Sequence, residues 1–181
     1  MLLSASKSSL LLIDIQERLL PAMSTPDLVI DKSKILLQAA QTLGLPITIS
    51  EQYPKGLGHT VAALQSNTAN TFEKLSFSCW RDDALKAHFI NLHEQTRPLV
   101  IVAGIEAHVC VMQTCIDLAN AGFGVFAVAD AMSSRKPEST ALAFERMRAN
   151  DVQVVNTEMV VFELLERAGT AEFKALSKLI K

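Results

Sequence analysis

Cysteine is scarce in this chain, and its charge is nearly balanced. Three cysteines, Cys79, Cys110 and Cys115, stand among 181 residues. The odd count and the lack of a CxxC pair argue against a disulfide framework and point to free thiols in a reducing, cytoplasmic compartment. A formal net charge of −2 gives no electrostatic reason to expect nucleic acid or an anionic membrane surface as partner. No apolar run approaches the roughly 18–20 residues that a membrane span needs. Low-complexity tracts, long linkers and internal repeats are also missing, so the chain offers no seam. A single domain over residues 1–181 is expected, large enough to bury a core without disulfide help.

What is present is a regular alternation. The opening "MLLSASKSSLLLIDIQ" holds a short apolar block that runs into an acidic residue without a small-residue cleavage site. It therefore predicts a first strand and not a signal peptide. "SLLLIDI" (9–15) and "LVIVAGI" (99–105) are continuous apolar runs, the pattern of strands buried on both faces. "PITIS", "FGVFAVAD" and "VQVVN" read as further strands, and "YPKGLGH" as loop. Helices are expected over "LVIDKSKILLQAAQTLG", "DDALKAHFINLH", about Ala107 to Ala121, and "ESTALAFERMRAN". Gly44 and Gly122 supply helix stops, and Thr157 an N-cap for the C-terminal helices "EMVVFELLERAG" and "AEFKALSKLI". Strands alternating with amphipathic helices specify a three-layer α/β/α, Rossmann-like fold with a mainly parallel sheet of about five or six strands.

In such sheets, sites form where the carboxyl ends of the strands open onto loops. That directs attention to Asp14 and Gln16, to Glu51–Tyr53, to Gly104–Cys110 and to Asp130. Cys110 stands at a strand-to-helix turn, where free amides and the helix dipole favour thiolate, so it reads either as a nucleophile or as a small buried hydrophobe. Asp14 ends a buried strand, either as a working carboxylate or as a pin for the next loop. Lys74, inside "TFEKLSFSCW", is either a solvated lysine or a partner for such a carboxylate. Cys115 reads as core, and Cys79 has no assignment. His59, His88, His93 and His108 read as surface or core groups, because their spacing does not make a metal site.

"LLLIDIQ", "FEKLSFS" and "VIVAGIEAHVCVMQT", in that order, resemble the isochorismatase-like (cysteine hydrolase) superfamily, which includes nicotinamidases and N-carbamoylsarcosine amidase. The resemblance runs from about residue 8 to about residue 155. "EQYPKGLGHT" and "GIEAHVCV" are similar to the isochorismatase domain-containing proteins, a branch without a well-defined substrate. The resemblance implies a catalytic triad of Asp14, Lys74 and Cys110. It also implies a cis peptide at Ile105–Glu106 and an oxyanion hole from the amides of Glu106 and Cys110. Gln16, Gln52, Tyr53 and Trp80 are expected to line the substrate pocket, with packing in a core or interface as the other reading of Trp80.

Two departures refine this. Metal-binding nicotinamidases carry Asp-x-His after the second strand, where this chain reads Ser50-Glu51-Gln52, so no metal and no other cofactor is expected. An aromatic that members often carry is replaced by Leu19, which speaks against a stacked pyridine. Isochorismatase chemistry cleaves a vinyl ether without a cysteine nucleophile, so the presence of Cys110 implies a small amide or related acyl substrate and a thioester intermediate. A thiol redox or peroxide sensor using Cys110, and a non-catalytic binding or scaffold protein, are the other classes. With Lys74 nearby, Cys110 is expected to titrate below a free thiol. A homo-oligomer, dimer or tetramer, is expected from the resemblance and from the apolar C-terminal helices.

Overall fold

The computed structural model describes residues 1–180. Six strands are described: β1 (Ser8–Ile13), β2 (Ile47–Gln52), β3 (Ala69–Lys74), β4 (Leu99–Ile105), β5 (Gly124–Ser133) and β6 (Gln153–Val155). All are parallel, in the order β3-β2-β1-β4-β5-β6. The expected three-layer arrangement is what the structure shows. Seven α-helices are described: α1 (Pro26–Leu43), α2 (Pro54–Leu57), α3 (Asp83–Glu94), α4 (Met112–Asn120), α5 (Pro137–Arg148), α6 (Thr157–Leu165) and α7 (Ala171–Leu176), the last packed on α1 and α6. Among the described residues, no helix is long and apolar enough to cross a membrane.

Alternation along the strands sends side chains to two cores. Leu10, Leu12, Ile47, Ile49 and Ile101 meet α1 and α6, whereas Leu11, Ile13, Val100, Val102 and Val125 meet α3, α4 and α5. Helix α1 starts with Pro26 in its first turn, buries Val29, Ser33, Leu36, Leu37 and Ala40 along one stripe, and stops at a left-handed Gly44. In α3, Asp82 caps the start by accepting from the amides of Ala84 and Leu85, both at 3.1 Å.

Four local expectations change. Strand β3 was not legible as a strand, because most of its side chains are at least partly exposed and no apolar run marks it. The loop over Tyr53–His59 contains the single turn α2. Asn156, not Thr157, caps α6, with its side chain accepting from Met159 N at 2.8 Å. Thr157 instead donates from its amide and hydroxyl to Asp130 Oδ1, at 2.8 and 2.9 Å, which ties β5 to α6. The helix over Ala107–Ala121 opens as a wide π turn (Ala107–Val111), and regular α4 begins only at Met112.

Strand order sets where a site can form. From β1 the chain moves outward to β2 and β3, then returns to β4 on the other side of β1. Ile13 pairs with both Ser50 and Gly104. A crevice at the carboxyl ends of β1 and β4 follows from this reversal.

Candidate active site

Asp14 follows directly on β1, with a left-handed φ of 53° that turns the chain out of the sheet. Its side chain is fully buried, and Oδ2 accepts from Lys74 Nζ at 2.7 Å. Lys74 reaches this carboxylate from the end of β3, across β2. Ser50 on the intervening strand donates from Oγ to Asp14 Oδ1 at 2.7 Å. The Lys74 ammonium also donates to Gln52 Oε1 at 2.7 Å and to the carbonyls of Ser76 and Phe77 at 3.3 and 3.2 Å. Its loss from water is thus met by four oxygens, the condition under which a buried cation is tolerated.

Cys110, only 5% exposed, comes to this pair from the π turn after β4, its thiol within hydrogen-bond reach of the Asp14 carboxylate. A cis peptide joins Ile105 to Glu106. The Glu106 carbonyl accepts from Val109 N at 3.0 Å and Val111 N at 3.3 Å. Thr114 Oγ1 donates to Cys110 O at 2.7 Å and accepts from Cys79 N at 2.9 Å, which locks the turn to the segment after β3. Glu106 directs its carboxylate outward to Arg135, at 2.8 Å.

Protonation differs from the expectation for Cys110. Burial pushes its thiol above the ordinary value, the Asp14 charge adds to this, and Lys74 opposes without prevailing. Desolvation outweighs the ammonium and the helix start, so Cys110 rests as a thiol. Burial raises the Asp14 carboxyl too, against the pull of Lys74 and Ser50. For Lys74, burial is the largest influence and acts downward, but the charge and hydrogen bond of Asp14 together with the neighbouring Cys79 and Cys110 sulfurs outweigh it, and the ammonium titrates above its ordinary range.

A pH dependence of stability follows. All three thiols are buried, and burial pushes each above the ordinary 9.0, Cys79 to about 11. Unfolded thiols ionise near 9.0 while the folded ones keep their protons, so stability falls as pH rises through that value. The slope is up to about 1.4 kcal/mol per pH unit for each thiol. Calorimetric melting is therefore expected to show Tm dropping above about pH 9, with the slope reduced by about a third in Cys115→Ala. A Tm independent of pH in that window, or an unaltered slope in the variant, would contradict this account.

The other expected site residues divide. Gln16 is fully buried and its amide is committed to backbone, accepting from Gln52 N at 2.7 Å and donating to Gln52 O at 3.0 Å and Gly58 O at 2.6 Å. Gln52 holds Lys74. Tyr53 is exposed and lines a cleft of about 530 Å³ with Lys55, Lys74, Leu75 and Arg81. Trp80 is not brought to the ion pair: its ring meets Phe123 edge-on at 5.6 Å, with Lys86 Nζ 5.5 Å from its centroid. Phe123 precedes β5, at the amino ends of the strands, away from Asp14.

Among the histidines, His59 bonds Glu51 Oε2 at 2.9 Å, His88 bonds Thr48 Oγ1 at 2.8 Å and His108 bonds Ser134 Oγ at 2.9 Å. His93 packs on Phe123. Ser50 in its role beside Asp14 was missed, since nothing in a lone serine on a strand announces its partner.

Among the described residues, no group of three or more His, Cys, Asp or Glu side chains is arranged to hold a metal ion. The positions that carry Asp-x-His in nicotinamidases here hold Ser50 and Gln52, whose oxygens serve Asp14 and Lys74. An ammonium already pairs with the carboxylate, and a divalent cation beside it would be repelled. Glu51 faces elsewhere, accepting from Thr60 N, Thr60 Oγ1 and His59.

Comparison with known proteins adds the lineage. The isochorismatase domain family model matches residues 8–159. The chain is 35% identical over 158 residues to the secreted isochorismatase effector Isc1 of Phytophthora sojae, covering 84% of this chain and 74% of that protein. It is 36% identical over 178 residues to isochorismatase domain-containing protein 2 of Danio rerio, covering 98% and 89%. The solved structure of MAR1 ribonuclease from Caenorhabditis elegans superposes with a TM-score of 0.91 at 33% identity, covering 99% of this chain and 92% of that one.

Proposed function

The chain belongs to the isochorismatase family, and from that premise we propose that it is a metal-independent cysteine hydrolase of small amides or related acyl C–N compounds. The observation that carries this reading is the fully buried Asp14–Lys74 ion pair, 2.7 Å long, set against Cys110 at the reversal of the sheet. A buried pair is costly to build, and replacing one with apolar packing is often neutral or stabilising. Its presence beside a thiol in a crevice supports chemistry.

The mechanism begins from the resting thiol. As sulfur attacks the substrate carbonyl, the thiol proton passes to Asp14, and Lys74 stabilises the negative charge that remains near the sulfur. The amides of Glu106 and Cys110 receive the oxyanion. Asp14 returns the proton to the departing amine, leaving a thioester on Cys110. Asp14 then takes a proton from water, which attacks the thioester and releases the acid and the thiol. Tyr53, exposed in the cleft beside Lys74, is the proposed substrate contact. Gln16 and Trp80 have their side chains engaged elsewhere and are given no such role.

Peroxide sensing is less well supported, because sensor thiols are accessible and acidic, whereas Cys110 is 5% exposed and raised by burial. RNA cleavage is the second reading, favoured by the likeness to the C. elegans protein described as a ribonuclease. A net charge of −2 gives RNA no general attraction. Turnover of a small-amide library, with an RNA substrate in parallel, tests the choice. Amide hydrolysis without RNA cleavage is expected, and RNA cleavage lost in Cys110→Ser would displace the amidase reading.

We also propose that residues 1–181 are one domain working in the cytoplasm, where the three unpaired thiols stay reduced. The Phytophthora relative is a secreted effector, so fractionation is the direct check. A homo-oligomer is also proposed, because Tyr53, Leu75 and Phe77 near the site, and Met159 and Phe162 on α6, leave large apolar side chains exposed. Light scattering at micromolar concentration is expected to give a dimer or larger assembly, and a monomer would remove this part.

A further inference from the structure

Strand β2 alternates its side chains, so Ser50 and Gln52 share one face and Glu51 takes the other. On the shared face Ser50 holds one oxygen of Asp14, and Gln52 holds the ammonium of Lys74, each at 2.7 Å. Neither side chain is free for a ligand. Ser50 is fully buried, and the far end of the Gln52 amide donates to Leu75 O at 2.8 Å.

We propose that Ser50 and Gln52 are positioning residues, a two-point clamp from β2 that holds the Asp14–Lys74 pair in register with Cys110. This rests on the hydrolase reading above, and it moves Gln52 from substrate contact to holder of Lys74. A lysine stem is long and flexible, and its ammonium is a point charge without the directional fork of arginine. The two carbonyls at 3.2 and 3.3 Å are long partners, so the short bonds to Asp14 and Gln52 set where the charge sits. Ser50 acts on the other partner. Its hydroxyl donates to the carboxylate, which favours the ionised form that accepts the thiol proton.

The titratable groups facing Asp14 are Lys74, Cys79 and Cys110. All three titrate on the alkaline side, so the acid limb of a rate profile reports Asp14 itself. Without the Ser50 hydroxyl, Asp14 holds its proton to higher pH and that limb moves up.

Two readouts on the whole protein test the clamp: the rate of iodoacetamide labelling of Cys110 below its own ionisation, where ionised Asp14 must take the thiol proton and no substrate is needed, and kcat and KM for an amide that is turned over. Ser50→Ala is expected to move the acid limb of both upward by about one pH unit, with Ser50→Thr returning it close to the parent protein. Gln52→Leu is expected to lower kcat about tenfold while KM stays within about twofold, because uniform substrate binding is untouched. A rise in KM at constant kcat would make Gln52 a substrate contact and overturn the assignment. An unmoved acid limb in Ser50→Ala would overturn the Ser50 half, and if that variant fails to fold, Gln52→Leu decides the matter. If no amide is hydrolysed but the labelling limb shifts as expected, the clamp stands and the hydrolase reading falls.

Discussion

Cys110→Ser is expected to lower kcat/KM for amide hydrolysis by roughly ten-thousand-fold or more, with the fold intact. The exchange keeps a small side chain in the π turn, so packing against Val111 and Ala107 changes little. What it removes is the nucleophile. A hydroxyl is far less acidic than a thiol, and the base available to it is one carboxylate already held by Lys74 and Ser50. Asp14→Asn is expected to fall in a neighbouring range, about a hundred- to ten-thousand-fold, because an amide cannot take the proton. Intact mass spectrometry after rapid quench is the second readout. The parent protein should carry an acyl adduct that is missing from Cys110→Ser. A serine variant retaining a tenth of the activity would end the nucleophile assignment, whatever else the site does.

Gly104→Ala is expected to be the most damaging single methyl that can be added to the sheet. Gly104 lies in β4 at φ 137°, a conformation that L side chains rarely adopt, and pairs in register with Ile13 of β1. A Cβ there would overlap the Ile13 carbonyl oxygen and stand 2.7 Å from Ile13 N. Both obstacles are backbone at the centre of the sheet, and neither can rotate aside. A cost of about 4 kcal/mol or more is expected, in the class of severe overpacking with backbone strain, which lowers Tm by roughly 8–16 °C for a chain of this size. Gly122→Ala makes the contrast. It also has a positive φ, 92°, but nothing lies within 4 Å of the added carbon, so only the backbone preference is lost, about 1 kcal/mol. Activity should fall with Gly104→Ala even in molecules that fold, since Asp14 follows Ile13 directly and Glu106 lies two residues beyond Gly104. A Tm within about 2 °C of the parent would refute the close approach.

Much of this protein is written in short-range pattern. Strands β1 and β4 are legible as unbroken apolar runs because both of their faces are buried, and α1 because its apolar positions recur at helical spacing and Gly44 ends it. The order of Asp14, Lys74 and Cys110, with the surrounding residues, was enough to name the family and to nominate these three. Other features depend on residues far apart in the chain. Strand β3 is an edge strand that needs no apolar run, and only its pairing with β2 reveals it. Ser50 and Gln52 looked like an absence of metal ligands, and their partners became visible only when β2 was set between β1 and β3. Lys74 meets a carboxylate 60 residues earlier in the chain. The acidity of Cys110 was misjudged for the same reason. Sequence shows the helix start and a lysine, both of which favour thiolate, but the desolvation that outweighs them is a property of everything packed around the sulfur. Periodicity is local and can be read along the chain, whereas hydrogen-bond partners and the local dielectric exist only once the strands have been brought side by side.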